Sequence, residues 1–371
     1  MKKILLTATA LVVAGAFALT GCSSSERGGT PAASGDAKGF AKDAKIGVAL
    51  PDKTSENWVL AGKLFSDGLT KAGFKPDVQY APASNTVAEQ QNQIQAMVTG
   101  GAKVIIIGAK DGKQLSTQVK AAHDAGATVI AYDRLIENTD AVDYYVAFDN
   151  FKVGQLQGQA LLDGLAARAG HPAPYNIELF SGSADDANSA VFFKGAMDVL
   201  EPKIKDGTLK VVSGQTDITQ TATDGWKAEN AQRRMDAILT ANYSSATLDG
   251  VLSPNDTLAR AIITSAQQAG KPVPVVTGQD SEVESVKSIM EGVQYSTINK
   301  DTTLLVQQAI KMVEQLQKGE TVDVNDTKSY NNGVKVVPAY LLKPVIVTKE
   351  NAEEAYANVP SLLEIVKSYK K

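Results

Sequence analysis

Side chains able to grip a hydroxyl-rich molecule recur at one kind of place in this 371-residue chain, directly after short apolar runs. Asp133 and Arg134 follow Thr128-Val-Ile-Ala-Tyr132, and Asp186 and Asn188 lie in the polar stretch after residues 176–180. Asn255 and Asp256 come two residues after Val251-Leu252, Asp280 closes Thr277-Gly-Gln-Asp after Val275-Val276, and Asn299-Lys300-Asp301 follow Tyr295–Ile298. Carboxylates, amides, a guanidinium and an ammonium can each bond more than one neighbouring hydroxyl. Asp and Asn at such places also cap the helices that follow, and for Asp256 and Asp301 capping is at least as good an account. It explains Arg134, Asn188 and Lys300 poorly, because a cation opposes the positive end of a helix. The two Trp residues, Trp58 and Trp226, each stand near a helix start. Core packing is the ordinary fate of a Trp. A flat indole also matches the C–H face of a sugar ring, and together these groups suit a sugar.

Signals for bond-making chemistry are weak. There is no GxSxG elbow, and Gly108-Ala-Lys-Asp-Gly112-Lys113 lacks the spacing of a phosphate-binding loop. Gly154-x-x-x-Gly158 reads as a helix face, not a dinucleotide fingerprint. Asp185 and Asp186 are adjacent and so point in different directions, unlike the facing carboxylates of a glycoside hydrolase. His123 and His171 are the two His, with no HExxH, and both are read as solvated. One Cys excludes a disulfide scaffold or a cysteine zinc cluster. A net charge of −4 argues against a nucleic-acid partner.

The elements that must position these groups alternate strand and helix. Lys45–Leu50, Val78–Tyr80, Lys103–Ile107, Thr128–Tyr132, 176–180, 209–213, 249–252, 273–277 and 294–298 read as strands. Helices are expected at 55–72, after the capping box Thr86-Val-Ala-Glu89, and at 112–125, 154–168, 188–205, 226–241, 256–269, 281–291 and 302–317. Gly73, Gly126 and Gly270 each follow an Ala at a helix end, where glycine supplies the left-handed cap. Continuous apolar strands between helices predict parallel sheets covered on both faces. About ten strands exceed one small sheet, so two α/β lobes are expected. Ligands of such sheets sit beyond the carboxyl ends of the strands.

The first residues read as an address. Lys2-Lys3 precede an apolar run, Ile4–Leu19, long enough for a signal-peptide core and short for a membrane span. Leu19-Thr20-Gly21-Cys22 looks like a lipobox, with the sole Cys at the position to be acylated. The expectation is a signal peptide over 1–21, then a lipid anchor at Cys22 and a Ser/Gly/Ala-rich flexible tether to residue 43.

Several long segments resemble one family: VIAYDRLI (129–136), YYVAFDNFKVGQLQ (144–157), NIELFSGSADDAN (176–188), VLSPNDTLA (251–259), VVTGQDSEVESVKSI (275–289), YSTINKDT (295–302) and VNDTKSYNNGVKVVPAYLLKPVIVTKEN (324–351). Over residues 44–351 the chain resembles the periplasmic sugar-binding proteins of ABC importers, of the ribose/galactose/xylose type. It is most similar to the xylose-binding and multiple-monosaccharide-binding members. That resemblance implies an α/β fold of periplasmic binding protein type I, with two Rossmann-like lobes joined by a three-segment hinge that closes on a sugar. The N-terminal lobe would comprise 44–148 and 299–328, the C-terminal lobe 149–298 and 329–371. Asp133 and Arg134 would bond the sugar from the first lobe, and Asp186, Asn188, Asn255 and Asp280 from the second. Lys300 would lie near a crossover, and Trp58 and Trp226 would sandwich the ring. Close relatives carry Arg before the first Trp, whereas this chain has Asn57, which bears on the choice of sugar.

The implied function is capture of an aldose such as xylose, glucose, galactose or arabinose and delivery to an ABC permease. No cofactor, metal, catalysis or nucleic acid is involved. The alternative is a sensor handing its loaded form to a chemoreceptor or histidine kinase. The expected protein is an exported, lipid-anchored monomer on the outer face of the cell membrane.

Overall fold

A computed structural model describes residues 39–53, 55–82 and 86–370. The signal, Cys22 and most of the tether lie outside the described residues, as does the Thr86 side chain of the expected capping box. The last tether residues are docked instead of free. The Phe40 ring lies 6.3 Å from that of Phe74, and its backbone N–H donates to the Gln317 carbonyl at 3.1 Å.

The first sheet contains β1 (Lys45–Leu50), β2 (Lys75–Tyr80), β3 (Val104–Ile107), β4 (Thr128–Tyr132) and β5 (Tyr144–Phe148), joined in part by α1 (Glu56–Lys71), α2 (Thr86–Thr99) and α3 (Ser116–Asp124). The chain then crosses through α4 (Asn150–Arg168) to a second sheet. That sheet holds β6 (Tyr175–Leu179), β7 (Leu209–Val211), β8 (Gly250–Leu252) and β9 (Val275–Val276). Its helices are α5 (Ala187–Lys205), the single turn α6 (Ile218–Thr221), α7 (Ala228–Asn242), α8 (Asp256–Gln268) and α9 (Val283–Glu291). After β10 (Ser296–Asn299), α10 (Thr302–Lys318) returns the chain to the first sheet, where β11 (Ala339–Leu342) is added. Antiparallel to β10 runs β12 (Val345–Thr348), and α11 (Ala352–Ala355) and α12 (Pro360–Ser368) finish the chain.

The first sheet has the order β11-β5-β4-β3-β1-β2 and the second β7-β6-β8-β9, and every pairing within them is parallel. Both are doubly wound, reversing between β1 and β3 and between β6 and β8. A reversal leaves a crevice at the carboxyl edge because the flanking loops diverge to opposite faces. The sequence reading missed β5, β11, β12 and the C-terminal helices, and began α3 about one turn early. It also ended the first lobe at residue 328. Parallel pairing of Ala339–Leu342 with Tyr145–Phe148 instead puts that stretch in the first sheet.

Strand alternation explains why the runs are continuously apolar. In the first sheet Ile105, Val129, Ala131 and Tyr145 feed one core, whereas Val104, Ile106, Ile130, Tyr132 and Val146 feed the core on the opposite face. With both faces covered, the inner strands are almost wholly apolar, while the edge strand β2 carries Lys75, Asp77 and Gln79. Gly126 and Gly270, with φ of 81° and 64°, end α3 and α8 in the left-handed conformation, as their place after an Ala suggested. Among the described residues no helix is long and apolar enough to cross a membrane.

The crossing of α4 and α5 brings backbone against backbone. A Cβ on Gly154 would overlap the Phe192 carbonyl oxygen and stand 2.8 Å from the Ala196 nitrogen, and one on Gly195 would overlap the Phe151 carbonyl. The Gly154-x-x-x-Gly158 face therefore serves helix packing. On an exposed helix Gly→Ala gains roughly 1 kcal/mol, but here overpacking against backbone costs about 1–3 kcal/mol. Gly154→Ala is expected to lower unfolding free energy in urea; a rise would show that the crossing relaxes freely.

The start of β6 carries a pH-dependent tie. Asp249 accepts the Asn176 backbone N–H at 2.7 Å and meets His171 Nε2 at 3.0 Å, and the Pro172 carbonyl lies 2.8 Å from Nδ1. The carbonyl first, and then the carboxylate, raise the His171 pKa. A raised cation adds stability fully below its unfolded value of about 6.5, and that stability is lost as pH rises through the folded value. His171→Gln should therefore lower the melting temperature more at pH 5 than at pH 8, by a small amount because the ring is exposed.

Candidate functional site

The carboxyl ends of the two sheets face each other across a cavity with an empty volume of about 570 Å³, its open mouth included. From the first sheet come Tyr132, Asp133 and Arg134 at the end of β4, Phe148 at the end of β5, and Ser55, Asn57 and Trp58 at the start of α1. From the second come Asp186, Asn188 and Phe192 after β6, Trp226 before α7, and Gln279 and Asp280 after β9. Lys300, between β10 and α10, and Thr302 and Leu305 at the start of α10 complete the lining.

Nine of the ten residues singled out from sequence line this cavity: Asn57, Trp58, Asp133, Arg134, Asp186, Asn188, Trp226, Asp280 and Lys300. Asn255 does not. Its side chain accepts the Leu258 backbone N–H at 3.0 Å, capping α8, and it borders a neighbouring cavity. Asp256 is fully buried, accepting from Gln294, Thr297 and the Glu282 backbone, and Asp301 caps α10 by accepting from Thr303. Gln279, Phe192 and Tyr132 were missed. Gln279 could have been found from its place beside Asp280 after β9. The other two are apolar positions with nothing in the sequence to separate them from core.

Each Trp rests on a glycine. A Cβ at Gly108 would stand 2.9 Å from the Trp58 ring, and one at Gly182 would overlap the Trp226 ring. Tyr132 meets Trp58 edge-on at 6.1 Å, and the Arg134 guanidinium lies 5.5 Å from the Trp58 ring centre. Gly225 and Trp226 are both left-handed, at φ of 63° and 56°. Their turn is tied to the loop after β6 by the Gly225 N–H, which donates to Ser183 Oγ at 2.8 Å.

Charge is organised in two pairs, of which Arg134 and Asp186 bridge the sheets. Arg134 Nε lies 3.0 Å from Asp186 Oδ2, though not aligned to donate, and Nη1 donates to the Ala109 carbonyl at 3.3 Å. Lys300 Nζ lies 3.1 Å from Asp280 and 4.0 Å from Asp133, with the Phe192 ring 5.5 Å away. Burial alone would depress both cations, but Asp186 holds Arg134 above its ordinary value, and Asp280 with Asp133 does so for Lys300. Burial raises Asp186, and Arg134 offsets part of that.

Asn188 spends its side chain on structure. Its amide donates to the Asp133 carbonyl at 2.9 Å, and its oxygen accepts from Asn150 at 2.9 Å and Tyr145 at 3.2 Å. Asn57 reaches across to the Asp280 carbonyl at 3.5 Å and accepts from Thr302 at 3.4 Å. Three buried polar atoms on the wall, Arg134 Nε, Trp226 Nε1 and Gln279 Oε1, have no hydrogen-bond partner among the described residues. A buried polar atom left unpaired costs about 1–3 kcal/mol, so a hydroxylated ligand would recover energy there.

These features define a ligand-binding cleft between two parallel α/β sheets. A model described as "Periplasmic binding protein domain" matches residues 46–321. The chain is 48% identical over 324 residues to the multiple sugar-binding periplasmic receptor ChvE of Rhizobium radiobacter, covering 86% of this chain and 91% of the relative. It is 36% identical to the D-xylose-binding periplasmic protein of Escherichia coli, covering 85% and 89%. A crystal structure of an ABC transporter solute-binding protein from Clostridium phytofermentans with bound β-D-glucose is similar at a TM-score of 0.80 and 40% identity, over 86% of this chain and 99% of that one. The chain belongs to the periplasmic binding protein family, with the type I fold that the sequence resemblance implied.

Gly182 offers a test of the indole's seat. Gly182→Ala should displace Trp226 and shift tryptophan emission, with a stability loss of about 1–3 kcal/mol from overpacking. An unchanged spectrum in the folded variant would show that Trp226 does not rest on Gly182.

Proposed function

We propose that this protein captures a monosaccharide, an aldose of the xylose, glucose, galactose or arabinose kind, and delivers it to an ABC sugar permease. The observation that carries this is the cavity itself: two indoles with three carboxylates and two cations at opposed sheet ends. Similarity to a glucose-bound solute-binding protein and to xylose-binding relatives supports it. In this reading the indoles stack on the ring faces, and Asp133, Asp186 and Asp280 accept its hydroxyls while Arg134 and Lys300 donate. Asn57, Asn188 and Asn255 act mainly through the protein contacts described above.

The lobes in this proposal are the first sheet with its helices, joined by α10 and β11, and the second sheet with β10, β12 and the C-terminal helices. The three crossings near residues 149, 300 and 343 form the hinge. We further propose export under the N-terminal signal, acylation at Cys22 and action as a monomer at the outer face of the membrane. A second reading, presentation of the loaded form to a membrane sensor, rests on the 48% identity to a protein named as a receptor.

Titration calorimetry with D-xylose, D-glucose, D-galactose and L-arabinose tests the ligand class. Asp133→Ala and Asp280→Ala are each expected to weaken the best sugar about ten- to a hundred-fold, from loss of charge-assisted bonds worth about 1.5–3 kcal/mol. Folded variants that bind like the parent protein would place the sugar elsewhere.

A further inference from the structure

The wall of the cavity carries more negative than positive charge, and its cations are already engaged. Three carboxylates, Asp133, Asp186 and Asp280, line it against two cations, Arg134 and Lys300. Arg134 sits against Asp186 at 3.0 Å and donates to the Ala109 carbonyl, and Lys300 sits against Asp280 at 3.1 Å. The carboxylate left over is Asp133, whose nearest cation is Lys300 at 4.0 Å. Lys300 is 10% exposed and Asp133 22%, so solvent screens these charges weakly.

The same imbalance holds on the outer side. A second cavity shares Ser55, Arg134, Trp226 and Asp280 with the first. Its further charged groups are Asp52, Asp185 and Glu229 against Lys110 and Lys227, with Lys110 paired to Asp52 at 2.8 Å. A ligand carboxylate turned outward therefore meets a surplus of acid there as well.

Resting on the proposed sugar-binding function, we infer that this pocket selects uncharged sugars and rejects sugar acids, with Asp133 as the main discriminating group. A hydroxyl can donate to Asp133. A carboxylate in the same place has nothing to donate, stands against a like charge, and must share each cation with Asp186 or Asp280. Specificity of this kind comes from a repulsive element built against the wrong ligand. The elevated Arg134 and Lys300 pKa values agree, since they report the excess of acid around both cations.

Titration calorimetry of the full chain at pH 7 with D-glucose, D-glucuronate and D-glucuronamide tests this. The amide is neutral and nearly the same shape as the acid. Glucose and glucuronamide are expected to bind, and glucuronate to bind about a hundred-fold or more weakly than the amide, since opposed like charges cost several kcal/mol. In Asp133→Asn that gap should narrow about ten-fold, whatever happens to absolute affinity. Equal affinity for acid and amide while glucose binds, whether both are accepted or both refused, overturns charge selection and leaves the sugar-binding function standing. An unchanged gap in Asp133→Asn overturns the role given to Asp133. If neither glucose nor xylose binds, the proposed function itself fails and the inference falls with it.

Discussion

The pocket depends on ion pairs made between sheets rather than within them. Arg134 follows β4 of the first sheet and meets Asp186, which precedes α5 of the second. Lys300, on the chain that links β10 to α10, lies between Asp280 of the second sheet and Asp133 of the first. Buried pairs of this kind are poor sources of stability, because desolvation consumes most of their attraction. Their use is geometric. Arg134 and Asp186 stand on opposite sides, so their distance reports the separation of the sheets, while Lys300 at a crossing meets Asp280 at 3.1 Å and Asp133 at 4.0 Å. Asn57 adds a neutral version of the same contact by reaching the Asp280 carbonyl from α1.

Such pairs work only if the loops that carry them are rigid. Asp133 has φ of 60° and Asp280 of 96°, conformations that cost non-glycine residues about 1–3 kcal/mol and persist only when the surroundings impose them. Around Asp133 the backbone N–H donates to the Val146 carbonyl, and the carbonyl accepts from Tyr145 and Asn188. Around Asp280 the backbone N–H donates to the Ile298 carbonyl, while Ser281 next to it donates to Thr297 and accepts from Tyr356. The buried Asp256 accepts the Glu282 N–H and so ends the turn, with burial raising its pKa well above the usual carboxylate range. The C-terminal helices thus reach the site through Tyr356, with no residue of their own on its wall.

Legibility in the sequence followed the physics of each signal. Buried parallel strands announce themselves, because two covered faces demand unbroken apolar runs such as Val104–Ile107. Polar groups at their ends stand out against that background, so Asp133, Arg134, Asp280 and Lys300 could be read as neighbours before any fold was known. β5 and β11 were harder. Tyr144–Phe148 and Ala339–Leu342 are short, and β11 lies at the edge of the first sheet, reached only after the chain has left and returned. Such a long-range pairing leaves no periodic trace. The glycines beneath the two indoles were also hidden, since Gly108 and Gly182 have ordinary negative or extended backbones, and only the ring lying against them explains the missing side chain.

Asp and Asn occur at strand ends both as helix caps and as pocket walls, and residue type does not separate the two. The backbone does. Asn255 and Asp301 have φ of −153° and −59°, and from there their side chains turn back onto the first N–H groups of α8 and α10. A cap needs a non-helical backbone, here through ψ of 174° and 103°, for its oxygen to reach the helix end. Asp133 and Asp280 have positive φ and cap no helix among the described residues. Asp186 stands between these cases: at φ of −101° it caps α5 with one oxygen and faces Arg134 with the other. A capped carboxylate is held by its own helix and keeps one face for another partner, whereas the left-handed Asp133 and Asp280 are held through their backbones, with Lys300 3.1 Å from Asp280 and 4.0 Å from Asp133. That difference leaves Asp133 and Asp280 with the greater capacity to accept ligand hydroxyls, although all three line the same cavity.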